Sequence, residues 1–282
     1  MLKIVKATYG EADVTQTVAA LVKNDELRLR ASNDLFGDPQ PGVVKTLTVI
    51  TQDRSYSAEE NSFLCISAKK VERLGIFYSN NNVKPVVKES LLTLTKFKGI
   101  ADILTCVWEP IPGNPFYEAI AHTKTSSHLN IIIQVLQLLY TARQTGEYKY
   151  VSFLEHDVLY PDGYFDFPDF SDSVMTNMNY KGICSNGFQD RDHAHEPLHQ
   201  MTMVFDDAVS HFERILLTAI STGQVLVEPS DIKRAQWSCE NPAVHVNHGK
   251  HFTSHFSIYS KATHDSDVYW GKSADLISRL FN

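Results

Sequence analysis

The chain has 282 residues, a hydrophobic fraction of 43% and a formal net charge of -7 at pH 7. That length suits one large domain or two smaller ones, and the acidic balance argues against broad nonspecific binding to nucleic acid, which relies on clustered Lys and Arg. No segment reads as a transmembrane run, and the start Met1-Leu2-Lys3-Ile4-Val5 lacks the long apolar core of a signal peptide, so a cytoplasmic home is the expectation. Cys65, Cys106, Cys184 and Cys239 form no Cys-x-x-Cys pair, which points to reduced, buried thiols rather than a structural zinc site.

Residues 1–68 hold short alternating segments at 2–8, 26–31 and 43–51, split by Gly, Asn, Asp and Pro clusters, and predict a small β-rich accessory domain. From Val71 the pattern changes. Residues 74–79 read as a strand, 83–97 carry apolar residues at helical spacing, 102–108 form a second apolar run, and 127–143 form an amphipathic helix that leads into a strand at 148–154. That succession predicts an α/β domain over residues 69–282, with a mostly parallel sheet flanked by helices.

Such sheets take ligands at strand carboxyl ends. Tyr78-Ser79-Asn80-Asn81-Asn82 closes the first strand and Trp108-Glu109-Pro110 closes the second, which makes Tyr78, Ser79 and Trp108 candidates for a nucleotide contact. For the two aromatics, plain packing is the competing role. Neither a Gly-x-Gly-x-x-Gly nor a P-loop fingerprint is present. His128 and Gln134 fall on the 127–143 helix, whose Leu and Ile stripe reads as core.

The strand at 148–154 ends in Glu155-His156-Asp157 and is followed by Pro161, Asp162 and Gly163. If the strand continues through them, Glu155 and Asp157 project to one side, an arrangement suited to a hard divalent cation with open positions for phosphate oxygens. Residues 162–172, with Tyr164, Phe165, Phe167 and Phe170 among acids, read as an aromatic-anchored surface loop or, alternatively, as an acceptor-facing wall. The polar stretch 187–200 offers Asp190, Asp192 and Glu196 ahead of a helix expected at 205–217. Histidines then crowd residues 242–259, where His245, His248, His251 and His255 surround Gly249 and Lys250. Each alone suits a hydrogen-bonded structural role, and their density suits metal and phosphate ligation.

With these motifs, residues 74–259 resemble the GT-A class of nucleotide-sugar glycosyltransferases, which have a Rossmann-like α/β core and an acidic Asp-x-Asp-type motif that holds a divalent ion against the sugar nucleotide's diphosphate. Glu155-His156-Asp157 stands where that motif would fall. The chain departs from the pattern by carrying Glu at the first position. The resemblance therefore implies Asp157 as the metal ligand, and Glu155 as a contact to ribose, sugar or a metal-bound water. It implies His248, with His245 next, as a further metal ligand, and Lys250 and His251 as donor contacts. It also implies Glu196, or else Asp192 or Asp190, as the base of an inverting reaction, whereas a retaining one needs no strong base. The first domain is similar to a small domain of unknown function found at the C-terminus of some DnaJ-type proteins. Ile4-Val5-Lys6-Ala7-Thr8-Tyr9-Gly10, Asp13-Val14-Thr15 and the run from Ser32 through Lys45 carry that likeness, which brings no chemistry.

The expectation is a transferase dependent on Mn²⁺ or Mg²⁺ that moves a sugar from a nucleoside diphosphate to a hydroxyl on a glycan, protein, small molecule or modified DNA base. Nucleic acid enters that expectation only as an acceptor. The competing functions are a non-catalytic glycan- or protein-binding protein and a metal-dependent hydrolase.

Overall fold

The structure, a computed structural model, describes residues 2–23, 25–52, 55–67, 72–80, 84–124, 127–171, 173–184, 187–190, 197–223, 232–246 and 264–281. The chain divides into two compact units, residues 1–71 with 140–147, and residues 72–139 with 148–282.

In the first unit, Ile4–Tyr9 pairs antiparallel with both Ala12–Asp13 and Thr46–Thr51, and Thr46–Thr51 pairs with Ser55–Glu59. A separate antiparallel pair joins Glu26–Arg30 to Phe63–Ser67. Alternation sets the buried face: Ala7, Tyr9, Leu47 and Val49 point inward and pack with Leu27, Leu29, Leu64 and Ile66. Lys45 is almost fully buried there because Asp38 and Glu60 pair with its ammonium at 2.8 and 3.1 Å. The Tyr9 hydroxyl and Glu60 meet the same Asn33 amide, so residues far apart in the sequence share one polar network.

The second unit is built on a seven-stranded sheet. Its spatial order is Arg234–Trp237, Val174–Asn177, Met201–Val204, Tyr150–Glu155, Arg73–Tyr78, Asp102–Val107 and Tyr117–Ile120. The pairings make Met201–Val204 antiparallel to its neighbours and all other pairings parallel. Helices cover both faces, which is why Arg73–Tyr78 and Tyr150–Glu155 read as nearly continuous apolar runs. Phe153 meets Phe212 of the Phe205–Thr222 helix at a ring separation of 5.2 Å. Leu154, its neighbour in sequence, points the other way and joins Phe77, Leu91, Leu94, Phe97 and Phe165.

Just past the carboxyl ends of three strands of this sheet, the chain forms a second one. Its order is Val158–Leu159, Ala243–Val246, Tyr180–Cys184, Gly187–Asp190. The Phe205–Thr222 helix is longer than the sequence pattern suggests and stops at Gly223, whose φ of 72° is left-handed and costs glycine nothing. Among the described residues, no helix is long and apolar enough to cross a membrane.

At 162–172 the aromatic-anchored surface loop forms and the alternative, an acceptor-facing wall, does not: Tyr164, Phe165 and Phe167 are buried in the core of the second unit and Phe170 packs on it, while Asp162, Asp166 and Asp169 are exposed. One expectation is corrected: the strand at 150–155 stops at Glu155, and His156 and Asp157 form a turn. Strand alternation is therefore not what orients Asp157.

Candidate functional site

The topology picks out one crevice. From Arg73–Tyr78 the chain crosses to Asp102–Val107 on one side of the sheet, then arrives at Tyr150–Glu155 on the other. A reversal of that kind leaves an opening outside the strand carboxyl ends. A cavity of about 410 Å³ lies there, lined by Tyr78, Ser79, Asn80 and Trp108 from the ends of two strands, Glu155 and His156 from a third, and Ser127, His128, Asn130, Ile131 and Gln134 from a helix. The sequence candidates Tyr78, Ser79, Trp108 and Glu155 are thus brought together.

The wall formed by the start of the His128–Thr145 helix is built by a cap. The Asn130 N–H donates to Ser127 Oγ at 3.2 Å, which satisfies one of the free donors of the first turn. A helix begun this way presents a partial positive charge at its N-terminus, next to the cavity. Gln134 anchors the same helix to the sheet, its Nε2 donating to the Ser79 carbonyl at 3.1 Å.

Another part of the lining comes from the turn after Glu155, held by four polar contacts. The Glu155 N–H donates to the Tyr160 hydroxyl at 2.7 Å, the Ser90 hydroxyl donates to the Val158 carbonyl, and the Tyr160 N–H donates to Thr93 Oγ1 at 3.1 Å. The Val246 N–H closes on the Asp157 carbonyl at 2.7 Å. Pairing of Val158 with His245 then sets His245 beside the turn.

Each acid of Glu155-His156-Asp157 meets one histidine. Glu155 Oε2 lies 2.9 Å from His199 Nδ1, and its Oε1 accepts the Tyr78 hydroxyl at 2.8 Å. Asp157 Oδ2 lies 3.2 Å from His245 Nε2. The two imidazoles stack with centroids 5.3 Å apart and planes 16° from parallel. His199 comes from a single helical turn, Leu198–Gln200, whose carbonyl at His199 accepts the Tyr164 hydroxyl at 2.8 Å.

Burial pushes the Glu155 carboxyl up, but the charge and hydrogen bond of His199, with the Tyr78 hydroxyl, outweigh burial and the nearby Asp157. The result is a carboxylate held below its usual range and ionised in the cavity wall. Burial, reinforced by the Glu155 charge, keeps the Tyr78 phenol neutral and donating. Tyr78 is 3% exposed. Its ring is not open to a base, and its part in the site is to hold Glu155. Trp108 is half-buried and lines the cavity.

Asp157, 6% exposed, and His245 sit behind this wall and do not line the cavity. Their 3.2 Å separation suits a hydrogen bond. It also suits two adjacent ligands of one octahedral ion, since bonds of about 2.1 Å at right angles place ligand atoms about 3 Å apart. Among the described residues, no group of three or more His, Cys, Asp or Glu could hold a metal ion. The candidates Asp192, Glu196, His248, Lys250 and His251 lie outside the described residues. Asp190 is described: it is exposed at the end of Gly187–Asp190, pairs with His264 at 3.2 Å, and is not part of the cavity wall.

Sequence reasoning assigned no role in the site to His199, Asn130 or Gln134. His199 lies in a polar stretch without periodicity. Asn130 and Gln134 could have been found, because they interrupt the apolar stripe of their helix at a spacing of one turn.

No protein-family model matches the chain. No curated protein matches it. Among solved structures, the chain is similar to a glycosyltransferase involved in the glycosylation of the major capsid of PBCV-1, with 11% identity and a TM-score of 0.38 over 61% of this chain and 91% of that one. A likeness of that size carries no argument about fold or chemistry.

Proposed function

We propose that the chain is a glycosyltransferase that moves a sugar from a nucleoside diphosphate to a hydroxyl acceptor. The observation behind this reading is the cavity at the sheet's reversal point, with an ionised carboxylate in one wall and a capped helix N-terminus in the other. A sugar nucleotide needs both kinds of wall. Its diphosphate is favoured beside a helix N-terminus, where N–H groups and the helix dipole oppose its charge. Its sugar hydroxyls find an acceptor in Glu155. Trp108, in the same lining, would stack on the base.

Asp157 and His245 are the described residues that would hold Mn²⁺ or Mg²⁺, with His248 as a third ligand. Such an ion would supply charge neutralisation to a diphosphate only where the diphosphate reaches past the Glu155 turn, since neither residue lines the cavity itself. Glu155 is kept ionised by His199 and Tyr78, so it is ready to accept hydrogen bonds without first losing a proton. Glu196, or else Asp192, would take the proton from the acceptor hydroxyl as that oxygen attacks the anomeric carbon, a role worth about 10²–10⁴ in rate; Asp190, exposed, paired with His264 and outside the cavity lining, is not placed for it. Lys250 and His251 remain candidates for the diphosphate.

The test is calorimetric titration of the protein with UDP, GDP, CDP and ADP and with their sugar conjugates, with and without Mn²⁺. At least one nucleotide should bind, and its affinity should rise with the ion. Failure of every nucleotide to bind under both conditions overturns the reading.

A further inference from the structure

We propose that Tyr160 is a positioning residue for recognition of the donor sugar, acting through Glu155. This rests on the nucleotide-sugar reading of the cavity and adds the group that sets its carboxylate. The starting observation is where the sheet opens. Tyr150–Glu155 pairs with Arg73–Tyr78 along its whole length, but its pairing with Met201–Val204 ends at Ser152. The Ser152 and Thr202 hydroxyls, 2.7 Å apart, close that side. Just before Met201 the chain is no longer a strand but the single turn Leu198–Gln200, and this is what lets His199 reach the Glu155 carboxylate. Among the described residues, no strand pairs with Phe153, Leu154 or Glu155 on that side.

A buried strand end still has backbone groups to satisfy. Here side-chain hydroxyls take the place of the strand that stops. The Glu155 N–H donates to the Tyr160 hydroxyl at 2.7 Å, and the Glu155 carbonyl lies 3.4 Å from that same hydroxyl and 3.3 Å from the Ser90 hydroxyl. Tyr160 and Ser90 are both fully buried. Tyr160 is fixed in its turn: its N–H donates to Thr93 Oγ1 at 3.1 Å, the Thr93 hydroxyl donates to the Ser90 carbonyl at 2.7 Å, and the Tyr160 ring packs edge-on against Tyr164 with centroids 4.7 Å apart. The direction of each bond follows from its chemistry, since a backbone N–H only donates and a carbonyl only accepts. Tyr160 thus holds the main chain of Glu155, while Tyr78 and His199, on other elements, hold its carboxylate. A shift of that main chain pulls the carboxylate against both partners. A recognition group has to stay within about 0.5 Å of its working place, which is what such support provides. Tyr160 does not line the cavity, so its effect reaches a ligand through Glu155.

Tyr160→Phe removes the hydroxyl, keeps the ring and changes no charge. Calorimetric affinities for UDP, GDP, CDP, ADP and their glucose conjugates would be measured on the wild type, Tyr160→Phe, Glu155→Ala and the double variant. For the best-binding conjugate, Tyr160→Phe should lose about fivefold or more in the wild-type background and less than about twofold in the Glu155→Ala background, with the bare nucleotide unaffected. A tyrosine that only stabilises the fold would weaken binding in both backgrounds alike, or in neither. Either result overturns the positioning role while the transferase reading stands, and so does an equal loss for the bare nucleotide. If no nucleotide or conjugate binds the wild type, both fall together. Should Tyr160→Phe fail to fold, Thr93→Val carries the same comparison, because it keeps the shape and removes the acceptor of the Tyr160 N–H. Thr93→Ser, which retains the hydroxyl, should then bind as the wild type does, and a Thr93→Ser variant as weak as Thr93→Val overturns the proposal.

Discussion

The imidazoles of His199 and His245 lie face to face, centroids 5.3 Å apart, and each holds one acid of the same three-residue segment. Glu155 and Asp157 are therefore each held by a residue 44 or 88 positions away in the sequence. The contact joins a strand end to two remote segments. Its worth can be measured by removing a single ring.

His199→Ala takes away the larger of the two partners of Glu155 and one side of the stack. Leaving this partly exposed, ionised carboxylate with only the Tyr78 hydroxyl should cost about 1 kcal/mol of stability in urea unfolding. Combining it with Glu155→Gln should recover part of that loss, because the unpaired charge is removed as well. Additive losses in the double variant would mean that the contact contributes nothing by itself.

Gly75 sits in the central strand, where a Cβ would lie 2.6 Å from Ile103 Cδ1, 2.7 Å from Leu154 Cδ1 and 3.1 Å from Phe165 Cζ. Gly75→Ala therefore overpacks the layer beneath Tyr78. A loss of about 1–3 kcal/mol is expected. Urea denaturation at unchanged stability would show that the layer has room to spare.

Part of the cavity lining was legible in the sequence, and the reason differs from residue to residue. The apolar runs at 74–79, 102–108 and 148–154 match the observed strands to within a few residues, because strands buried on both faces leave a continuous signal. Tyr78, Trp108 and Glu155 followed from standing at the ends of those runs. The second sheet was not legible, since Val158–Leu159 and Gly187–Asp190 are too short to show a period and depend on pairing with distant segments. His199 was hidden for the same reason: one helical turn has no pattern, and only tertiary contact brings it to Glu155. At 162–172 the mixture of acids and aromatics was legible as an aromatic-anchored loop, because the aromatics bury large apolar area in the core while the acids between them stay exposed.

Acid should expose a second fixed carboxylate. Asp267 Oδ2 pairs with Lys181 Nζ at 2.7 Å, and its Oδ1 accepts the N–H groups of Tyr269 and Trp270 at 2.9 and 3.1 Å. Burial raises this carboxyl, but the Lys181 bond and the two backbone donors outweigh it and leave the group below its ordinary value. A depressed folded-state value means that the stabilisation is complete above the unfolded value, near pH 3.9, and disappears as pH falls through the lower folded one. The stability difference between wild type and Asp267→Asn should therefore be largest at neutral pH and shrink below about pH 4. A difference that stays constant from pH 7 to pH 3 would remove Asp267 as an acid-sensitive anchor.

The contact between Asp157 and His245 separates a metal ligand from a purely structural acid. Asn in place of Asp157 keeps the shape and can still accept the His245 Nε2 hydrogen at about the present distance, so the apo protein should melt nearly as before. What it removes is the negative charge, on which a hard divalent ion depends far more than a neutral donor does. If the pair holds Mn²⁺, Asp157→Asn should bind nucleoside diphosphate in the absence of metal as the wild type does, and should lose the gain that Mn²⁺ brings. His245→Ala should lose the same gain, because the ion needs both groups. It should also lose about 1–3 kcal/mol of stability, since Asp157 is then left without that partner in a buried place. Calorimetry with and without Mn²⁺, read beside the melting temperatures, separates the two contributions. A nucleotide affinity that rises with Mn²⁺ equally in wild type and in Asp157→Asn would move the ion away from this pair and leave Asp157 as a structural acid.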